Sequence, residues 1–488
     1  MWIRKNDKDR SKGRGLPIPT QAISNEEFIP MPQTGDQRAV ERRITELADI
    51  YAGKLGTDRR SFLGSAGGMA IAFMAMNDVF GDYFEVDVAE AAESAATKER
   101  WPKNELIFDA QLHHVKNTIP GPLAFRRIAG MFKLNPELVD VTPQKDDLHL
   151  ANFTKEVFLD SDTVMGIISG APLGGEKENI LPAEMMVNTR ETLNQLSGSR
   201  RMLSHGLAAP NMPGGLEHIE YQAKELKVDG WKCYTGVHVN AWRFDDEEIA
   251  YPFFELALKL GITNISVHKG LPIAGTNPEY CRPWDIKKAA LDWPDLDFIV
   301  YHSGFKNMIH ELPRGESGVA DDGYLEWTTD IVDDRLETPK MTNVYMELGS
   351  TFGHTAITHP ELCGQLMGQI INAFGADHVI WGTDSIWWGS PQWQIEAFRR
   401  FQIPESMQEK FGYPPISDED KALIFGLNAA KLYGIDTVAA RKAFPSDSFS
   451  KLKAEYLEEG ADPSHTQYGW IFEGDNATAS SLPWTAEV

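Results

Sequence analysis

Cysteine and long apolar runs are both scarce in this sequence. Only three of its 488 residues are cysteines, at positions 233, 281 and 363. They are too few and too scattered for a disulfide framework or a cysteine-type zinc site. No run of eighteen or more strongly apolar residues occurs, so the sequence predicts no membrane span. Any bound metal would therefore depend on nitrogen and oxygen ligands, which thirteen histidines and 71 acidic residues can supply.

Basic residues are also in short supply. The chain has 47 of them against 71 acidic residues, which gives a formal net charge of -24 at pH 7. A surface this acidic repels phosphate backbones and anionic lipid heads. We therefore expect no nucleic-acid partner, and a small molecule is the favoured substrate. The apolar fraction of 42% supports a sizeable core, which excludes a largely disordered chain.

The first hundred residues differ from the rest and form a predicted N-terminal extension, residues 1–100. Residues 1–40 are polar and without period, and residues 41–56 look helical. Segment 57–80 begins T-D-R-R-S-F-L and continues into a small, weakly apolar run, as a twin-arginine export signal does. A buried helix rich in alanine and methionine explains it equally well. We expect a cytoplasmic protein, and a periplasmic location through this segment is the alternative.

Residues 101–437 alternate short apolar runs with stretches of helical period, which predicts an α/β fold with a parallel sheet. Eight such units favour a closed (β/α)8 TIM barrel. An open doubly wound sheet is the alternative, but no G-x-G-x-x-G follows any strand. Residues 438–488 are predicted to be a C-terminal arm that wraps the barrel or a neighbouring subunit. The eight predicted strands lie within residues 105–111, 163–169, 201–207, 230–236, 264–270, 298–304, 343–349 and 378–384.

Polar residues fall at the carboxyl ends of five of these strands. In a barrel those ends converge on one mouth, where active sites are built. Each residue alone has a structural explanation, such as a hydrogen-bonded core histidine or a helix-capping aspartate. Five strands with the same feature on the same face point to a site. The candidate residues are Gln111, His113, Lys232, His268, His302 and Asp384.

Several motifs at these positions resemble the metal-dependent amidohydrolase superfamily. The similarity is greatest to its branch of aminocarboxymuconate-semialdehyde decarboxylase and resorcylate-type decarboxylases, and it covers about residues 105–436. This resemblance implies a (β/α)8 barrel with a divalent metal at its mouth. The motifs are D-x-Q-x-H at 109–113, V-H-K-G at 267–270, Y-H-S-G at 301–304, W-G-T-D at 381–384 and S-D-E-D-K-A-L-I-F-G-L-N-A-A-K-L-Y-G at 417–434.

The resemblance also implies a set of metal ligands. They would be His113, His268 and Asp384, with Gln111 at the position that usually holds His or Glu. A neutral amide is a poor ligand beside imidazole or carboxylate and binds only through its carbonyl oxygen. It lowers the affinity and favours Mn²⁺ or Fe²⁺ over tightly held Zn²⁺.

The resemblance assigns roles to the remaining candidates as well. Asp384 would help to accept the proton of a metal-activated water, and His302 would act as a base or an electrostatic anchor. Lys232 would either bridge two metals as a carboxylated lysine, as in binuclear members, or bind a substrate carboxylate. One ion is favoured over two.

Three functions remain open at this stage. The first is an enzyme that hydrolyses or non-oxidatively decarboxylates a small carboxylate-bearing molecule. The second is an O₂-activating Mn/Fe-type hydroxylase, or its partner subunit, resembling 2-aminoisobutyrate hydroxylase. The third is a non-catalytic subunit with a degenerate metal site. The neutral Gln111 at a ligand position suggests this possibility. The long arms and the habit of the family favour a homo- or hetero-oligomer.

Overall fold

The computed structural model describes residues 2–5, 7–8, 15–24, 32–116, 148–172, 179–237, 241–272, 276–306, 320–461 and 469–472. Its centre is an eight-stranded parallel sheet whose strands follow one another in chain order. Every strand overlaps one of the eight predicted apolar runs, so the predicted (β/α)8 barrel is confirmed. The strands are β1 (Phe108–Leu112), β2 (Met165–Ile168), β3 (Met202–Ala208), β4 (Gly230–Tyr234), β5 (Asn264–His268), β6 (Asp297–Tyr301), β7 (Val344–Glu347) and β8 (Val379–Ile380).

The last strand is short, and the segment that follows it closes the sheet on β1. The backbone N–H of Asp384 donates to the carbonyl of Gln111 at 3.0 Å, and the N–H of His113 donates to the carbonyl of Ser385 at 2.6 Å. These bonds place the end of β1 directly beside the loop after β8. Predicted site residues from opposite ends of the sheet thereby become neighbours.

The residues of β4 to β7 alternate between two faces, as they must along a strand. One set packs outward in the largest apolar core: Trp231, Cys233, Ile265, Val267, Phe298, Val300, Val344 and Met346. The other set therefore faces the inside of the barrel, and it includes Lys232, Ser266, His268, Tyr301 and Glu347. All five of these side chains are buried. Polar groups are thus concentrated inside the barrel.

Helices surround the barrel, and the predicted helical patterns fall among them. The α-helices span Leu150–Thr154, Ala183–Ser197, Gly215–Tyr221, Ala250–Leu260, Pro278–Cys281, Ile286–Asp292, Thr328–Glu337, Thr351–Thr358, Pro360–Phe374, Gln392–Arg400, Glu405–Phe411, Asp418–Ala422 and Asn428–Leu432. Three of them run into π-helical turns at Lys155–Leu159, Gln222–Leu226 and Leu423–Leu427. Short 3₁₀ turns lie at Pro283–Asp285, His302–Gly304, Ala376–His378 and Phe444–Ser446. None of the helices within the described ranges is long and apolar enough to cross a membrane.

The N-terminal extension is helical and packs against the barrel. Its helices are α1 (Gly35–Leu55), α2 (Arg59–Leu63), α3 (Ala66–Phe80), α4 (Val88–Ala92) and α5 (Ser94–Arg100). In the twin-arginine-like segment both arginines are exposed, whereas Phe62 and Leu63 are buried. Most of the first ten residues of α3 are buried as well. The segment therefore contributes to the core, and its use in export stays a prediction.

Buried ion pairs connect this extension to the barrel. Arg400 Nη2 lies 3.0 Å from Glu90 Oε2, and both side chains are almost completely inaccessible to solvent. Arg400 also pairs with Glu396 at 2.5 Å, and the neighbouring Arg399 pairs with Glu105 at 2.9 Å. Because charged groups are seldom buried without partners, this network ties the extension to the barrel.

The described part of the C-terminal arm packs on its own barrel. Helices Thr437–Ala443 and Ser448–Glu458 follow the last barrel helix, and Arg201 Nε at the start of β3 lies 2.5 Å from Asp447 Oδ2. Further on, Trp470–Phe472 pairs antiparallel with Trp2–Arg4. We call these two strands the terminal ribbon. It joins the two ends of the described chain.

Candidate active site at the mouth of the barrel

All six predicted site residues lie at the carboxyl ends of the strands or inside the barrel, and all are buried. The structure divides five of them into two contacting groups. The first group contains Gln111, His113 and Asp384, from β1 and the loop after β8. The second contains His268 at the end of β5 and His302 just after β6. The sixth residue, Lys232, lies on β4.

In the first group, a histidine ring nitrogen faces a carboxylate oxygen. His113 Nδ1 lies 2.5 Å from the carbonyl oxygen of Ser169, and since a carbonyl only accepts, Nδ1 carries the ring proton. The other nitrogen, Nε2, is then an acceptor in the neutral ring, yet it lies 2.9 Å from Asp384 Oδ1. Such a contact needs a cation or an added proton between its atoms.

The Asp384 carboxylate is held in place from two sides. Gln111 Nε2 lies 2.9 Å from Asp384 Oδ1 and 3.3 Å from His113 Nε2, and Ser350 Oγ donates to Asp384 Oδ2 at 2.5 Å. Burial alone would raise the pKa of Asp384, but its hydrogen bond and charge interaction with His113 lower that pKa below its usual value. The carboxylate is therefore ionised at neutral pH.

The second group repeats the arrangement with two imidazoles. His302 Nδ1 lies 2.8 Å from the Gly349 carbonyl oxygen, and His268 Nε2 lies 3.1 Å from the Leu271 carbonyl oxygen. Both of these nitrogens must carry the proton. The remaining nitrogens, His302 Nε2 and His268 Nδ1, then face each other as lone pairs at 3.1 Å. Burial lowers the pKa of His302 to about 4 and that of His268 well below its usual value, so neither ring is charged at neutral pH.

Lys232 lies near both groups without a hydrogen-bond partner. Its Nζ is buried and makes no hydrogen bond, although it lies 3.1 Å from the centre of the Tyr301 ring. Burial lowers the pKa of Lys232 to about 7, against the opposing charges of Glu347 and Asp384. A buried amine with a lowered pKa that faces the site is available to bind a substrate carboxylate.

Glu347 is a site residue that the strand-end pattern did not single out. It is the last residue of β7, and its carboxylate accepts the backbone N–H of Gly349 at 2.6 Å and that of His302 at 3.2 Å. Burial raises the pKa of Glu347 to about 8. The available signal was a lone carboxylate that ends an otherwise apolar strand, N-V-Y-M-E.

Two further polar residues, in β1 or just after it, belong to neither group. Asp109 accepts bonds from the Gln111 N–H and from the N–H and hydroxyl of Thr383 at 2.5–3.1 Å. It thus fixes β1 to the segment after β8, and burial raises its pKa to about 7. His114 turns away, because its Nε2 lies 2.8 Å from the hydroxyl of Thr189.

Tryptophans form part of the wall of the mouth. The Trp387 ring stacks on His113 with a centroid distance of 5.4 Å. Trp388 meets the ring of His354 edge-on at 4.5 Å, and its Nε1 donates to the carbonyl of Ile23 at 3.0 Å. The contact with residue 23 of the extension could not be read from sequence.

The backbone at the mouth is strained. His302, Ser303, Ser350 and Asp384 all have a positive φ, between 50° and 61°. For residues other than glycine this conformation is uncommon and costs about 1 kcal/mol or more each, and such residues cluster at functional sites. Two of the four, Ser350 and Asp384, are hydrogen-bonded to each other. The strain therefore coincides with the groups that would do chemistry.

The nitrogen and oxygen atoms of the site are of the kind that bind a divalent cation. Both facing pairs, His113 with Asp384 and His268 with His302, bring nitrogen or oxygen atoms to within 2.9–3.1 Å of each other, and such atoms are ligands for divalent ions. Among the residues that the structure describes, no three His, Cys, Asp or Glu side chains form a group that could hold a metal. Each pair has two such side chains, and the third group beside the first pair is the Gln111 amide.

Several solved structures are similar to about two thirds of this chain at low sequence identity. One is an uncharacterized TIM-barrel protein from Bordetella bronchiseptica, with 16% identity over 69% of this chain and 99% of that chain and a TM-score of 0.46. Another is 5-carboxyvanillate decarboxylase from Sphingomonas paucimobilis, with 14% identity over 67% and 99% and a TM-score of 0.43. A third is a manganese-bound dihydroxybenzoic acid decarboxylase from a Polaromonas species, with 15% identity over 69% and 99% and a TM-score of 0.39.

A sequence comparison finds a family similar to part of the chain. No curated protein matches it significantly. The family model described as amidohydrolase matches residues 197–435, which run from just before β3 to the end of the last barrel helix. This range includes Lys232, His268, His302, Glu347 and Asp384. The part of the barrel from β3 onward is thus similar to the amidohydrolase family.

Proposed function

We propose that this chain is a metal-dependent enzyme that hydrolyses or non-oxidatively decarboxylates a small, carboxylate-bearing molecule. The observation that carries the proposal is the pair of facing acceptors, His113 Nε2 and Asp384 Oδ1, 2.9 Å apart in the mouth of an amidohydrolase-family barrel. Two acceptors at this distance repel each other unless a positive charge lies between them. Either a proton on the His113 ring or a metal ion supplies that charge, and the proposal assigns it to a metal ion.

The residues that would hold the ion are His113, Asp384 and the amide oxygen of Gln111, with His268 as the further ligand that the family resemblance predicts. When bound, a divalent ion lowers the pKa of a coordinated water and polarises a substrate oxygen. The ordered carboxylate of Asp384, with Ser350 on its second oxygen, is placed to accept a proton from that water. His302 is neutral at pH 7, so it acts as a hydrogen-bond acceptor or a base and not as an acid.

Lys232 supplies the specificity for a carboxylate in this proposal. Its ammonium has no hydrogen-bond partner, and an unpaired buried charge is costly. A substrate carboxylate offers that partner. The aromatic wall of Trp387 and Trp388 provides an apolar surface beside it, as is usual in sites for small organic ligands.

The second group favours one alternative, the O₂-activating hydroxylase. His268 Nδ1 and His302 Nε2 face each other 3.1 Å apart, and both are lone pairs. They would hold a second ion, and two redox metals are what such a hydroxylase requires. One ion remains the favoured number, because the described groups offer only two imidazoles here.

Metal analysis of site variants tests the proposal. We expect the purified wild type to contain one equivalent of Mn²⁺, Fe²⁺ or Zn²⁺ by elemental mass spectrometry. Asp384→Asn and His268→Ala should lose it while retaining the far-ultraviolet circular dichroism of the wild type. His218→Ala, at an exposed helical position, is the matched control and should keep the ion.

Other outcomes would decide between the functions. Stoichiometric metal in both site variants would refute the ligand assignment. Two redox metals together with O₂ consumption would replace the proposal by the hydroxylase. A wild type without metal after growth in metal-replete medium would point to the non-catalytic subunit. The oligomeric state stays a prediction.

A further inference from the structure

The starting point is an unsatisfied atom in the first site group. The amide oxygen Oε1 of Gln111 is buried and has no hydrogen-bond partner. Its amide nitrogen lies 2.9 Å from Asp384 Oδ1 and 3.3 Å from His113 Nε2. A buried acceptor without a donor costs about 1–3 kcal/mol, so a second arrangement that satisfies it would be preferred.

Glu347 lies beside that unsatisfied oxygen. A Cβ placed on Gly349 would lie 2.1 Å from Gln111 Oε1 and 2.7 Å from Glu347 Oε1. A Cβ on Gly382 would lie 1.7 Å from Glu347 Oε1 and 3.2 Å from Gln111 Cβ. Two glycines thus open one space that both side chains share. Within it, an amide oxygen and a carboxylate oxygen stand side by side as two acceptors.

Rotation of the Gln111 amide by half a turn resolves this conflict. The oxygen and nitrogen of an amide have nearly the same shape, so they are assigned from their partners. After rotation the NH₂ group donates to the Glu347 carboxylate. The amide oxygen then points to His113 and Asp384, where only a positive charge could hold three acceptors together.

We propose that Glu347 is a positioning residue that turns the Gln111 amide oxygen toward the metal ion. The inference rests on the proposed function, because it needs the ion at this site. In this arrangement an acid on β7 lies one side chain behind the amide at position 111. Gln111 contacts the ion, and Glu347 fixes the orientation of its amide.

Two physical consequences follow from this arrangement. Outer groups that orient metal ligands are worth about 10–100-fold in metal affinity when removed. Because the acid and the amide act as a pair, exchanging them between positions 111 and 347 keeps the total charge and nearly the same volume. If Glu347 had only a structural role, exchanging the two residues would not restore metal binding. The backbone N–H groups of Gly349 and His302 would still lack their carboxylate partner.

The experiment measures Mn²⁺ binding to metal-free protein by isothermal titration calorimetry and by Mn²⁺ electron paramagnetic resonance. We expect Glu347→Gln to weaken binding 10–100-fold. The double variant Gln111→Glu/Glu347→Gln should recover binding to within about 3-fold of the wild type. Glu90→Gln, a buried glutamate at the extension, is the control and should bind Mn²⁺ as the wild type does even if it is less stable.

Each remaining outcome contradicts a stated claim. Wild-type affinity in Glu347→Gln would overturn the role of Glu347 and leave the proposed function intact. Failure of the double variant to recover binding, while Glu347→Gln is weakened, would also overturn the pairing. A wild type that binds no divalent ion would overturn the proposed function together with this inference. If Glu347→Gln does not fold, metal binding by the double variant still tests the pairing. The double variant keeps one glutamate and one glutamine at positions 111 and 347, so the side-chain volumes and the total charge are unchanged.

Discussion

Many histidines of this barrel are kept neutral by burial. Among the described residues, burial lowers the pKa of His114, His205, His268, His302, His354 and His359. Each of these groups binds a proton more readily in the unfolded chain than in the folded one. Acid therefore acts against the fold at several positions, and not only at the mouth.

His359 allows this effect to be measured away from the site. Burial lowers its pKa from 6.5 to about 4. Because the folded pKa is lowered, the stability from this residue is fully present above pH 6.5 and is lost as the pH falls toward 4. Between pH 7 and pH 5 we expect the free energy of unfolding of the wild type to drop by about 2 kcal/mol more than that of His359→Gln. Urea unfolding at both pH values measures the difference.

The control for this prediction is His218→Gln, since His218 is exposed on helix Gly215–Tyr221. Its pH dependence should equal that of the wild type. An unchanged pH dependence in His359→Gln would mean that His359 is solvated in the folded protein.

The residue-scale features of the site were only partly predictable. Gln111, His113 and Asp384 could be found because polar residues at the ends of apolar strands stand out. Their pairing could not, since which nitrogen faces which oxygen depends on carbonyls such as that of Ser169, 56 residues away from His113. Glu347 was missed for a similar reason, because one of its partners is the backbone N–H of His302, 45 residues away.

At the scale of elements, helix α3 packs unusually closely on α2. A Cβ on Gly68 would lie 2.5 Å from the carbonyl oxygen of Phe62 and 2.6 Å from that of Leu63. Backbone atoms cannot move aside as a side chain can. We therefore expect Gly68→Ala to lower the free energy of unfolding by about 2 kcal/mol, as overpacking does.

Gly53 is the matched control for this substitution. It lies in α1, and a Cβ there would meet no atom within 4 Å. Gly53→Ala should raise the free energy of unfolding by up to about 1 kcal/mol, because alanine favours the helix. Thermal and urea unfolding of both variants measure the contrast. Equal changes in the free energy of unfolding at both positions would show that α3 does not pack closely on α2.

The elements themselves followed well from the sequence. Short apolar runs and their spacing sufficed for eight strands, because a parallel sheet buried on both faces needs continuous apolar residues. The placement of the C-terminal helices did not follow, because it depends on contacts such as Arg201 with Asp447. Residues so far apart in the chain leave no periodic signal. The twin-arginine-like segment was ambiguous because an export signal and a buried helix have the same composition.

At the scale of the whole molecule, the extension and the barrel share buried charges. Removing one partner of a buried ion pair leaves the other charge uncompensated and typically costs about 3–5 kcal/mol. We expect Glu90→Gln to lower the free energy of unfolding by about 3 kcal/mol. This is the lower end of the range, because Arg400 keeps Glu396 as a partner. The loss should appear in a single urea transition followed by tryptophan fluorescence. Separate transitions would mean that the extension unfolds alone.

An exposed ion pair of the extension provides the comparison. Arg59 and Asp49 lie 3.2 Å apart with about half of each side chain exposed. Such pairs contribute about 0–1 kcal/mol, so Asp49→Ala should be nearly neutral. If Glu90→Gln lowered the free energy of unfolding as little as Asp49→Ala does, the buried ion pairs would not link the extension to the barrel.

The terminal ribbon has a practical consequence for anyone who produces this protein. Trp470–Phe472 pairs with Trp2–Arg4 and with Ser24, and the residue before Ser24 receives the Trp388 indole bond. A polyhistidine tag fused just ahead of residue 2 would therefore start on the ribbon that connects, through Ser24, to the Trp388 contact, and the tag could capture the ion meant for the site. Metal content is best measured on protein from which such a tag has been removed, or purified by ion exchange.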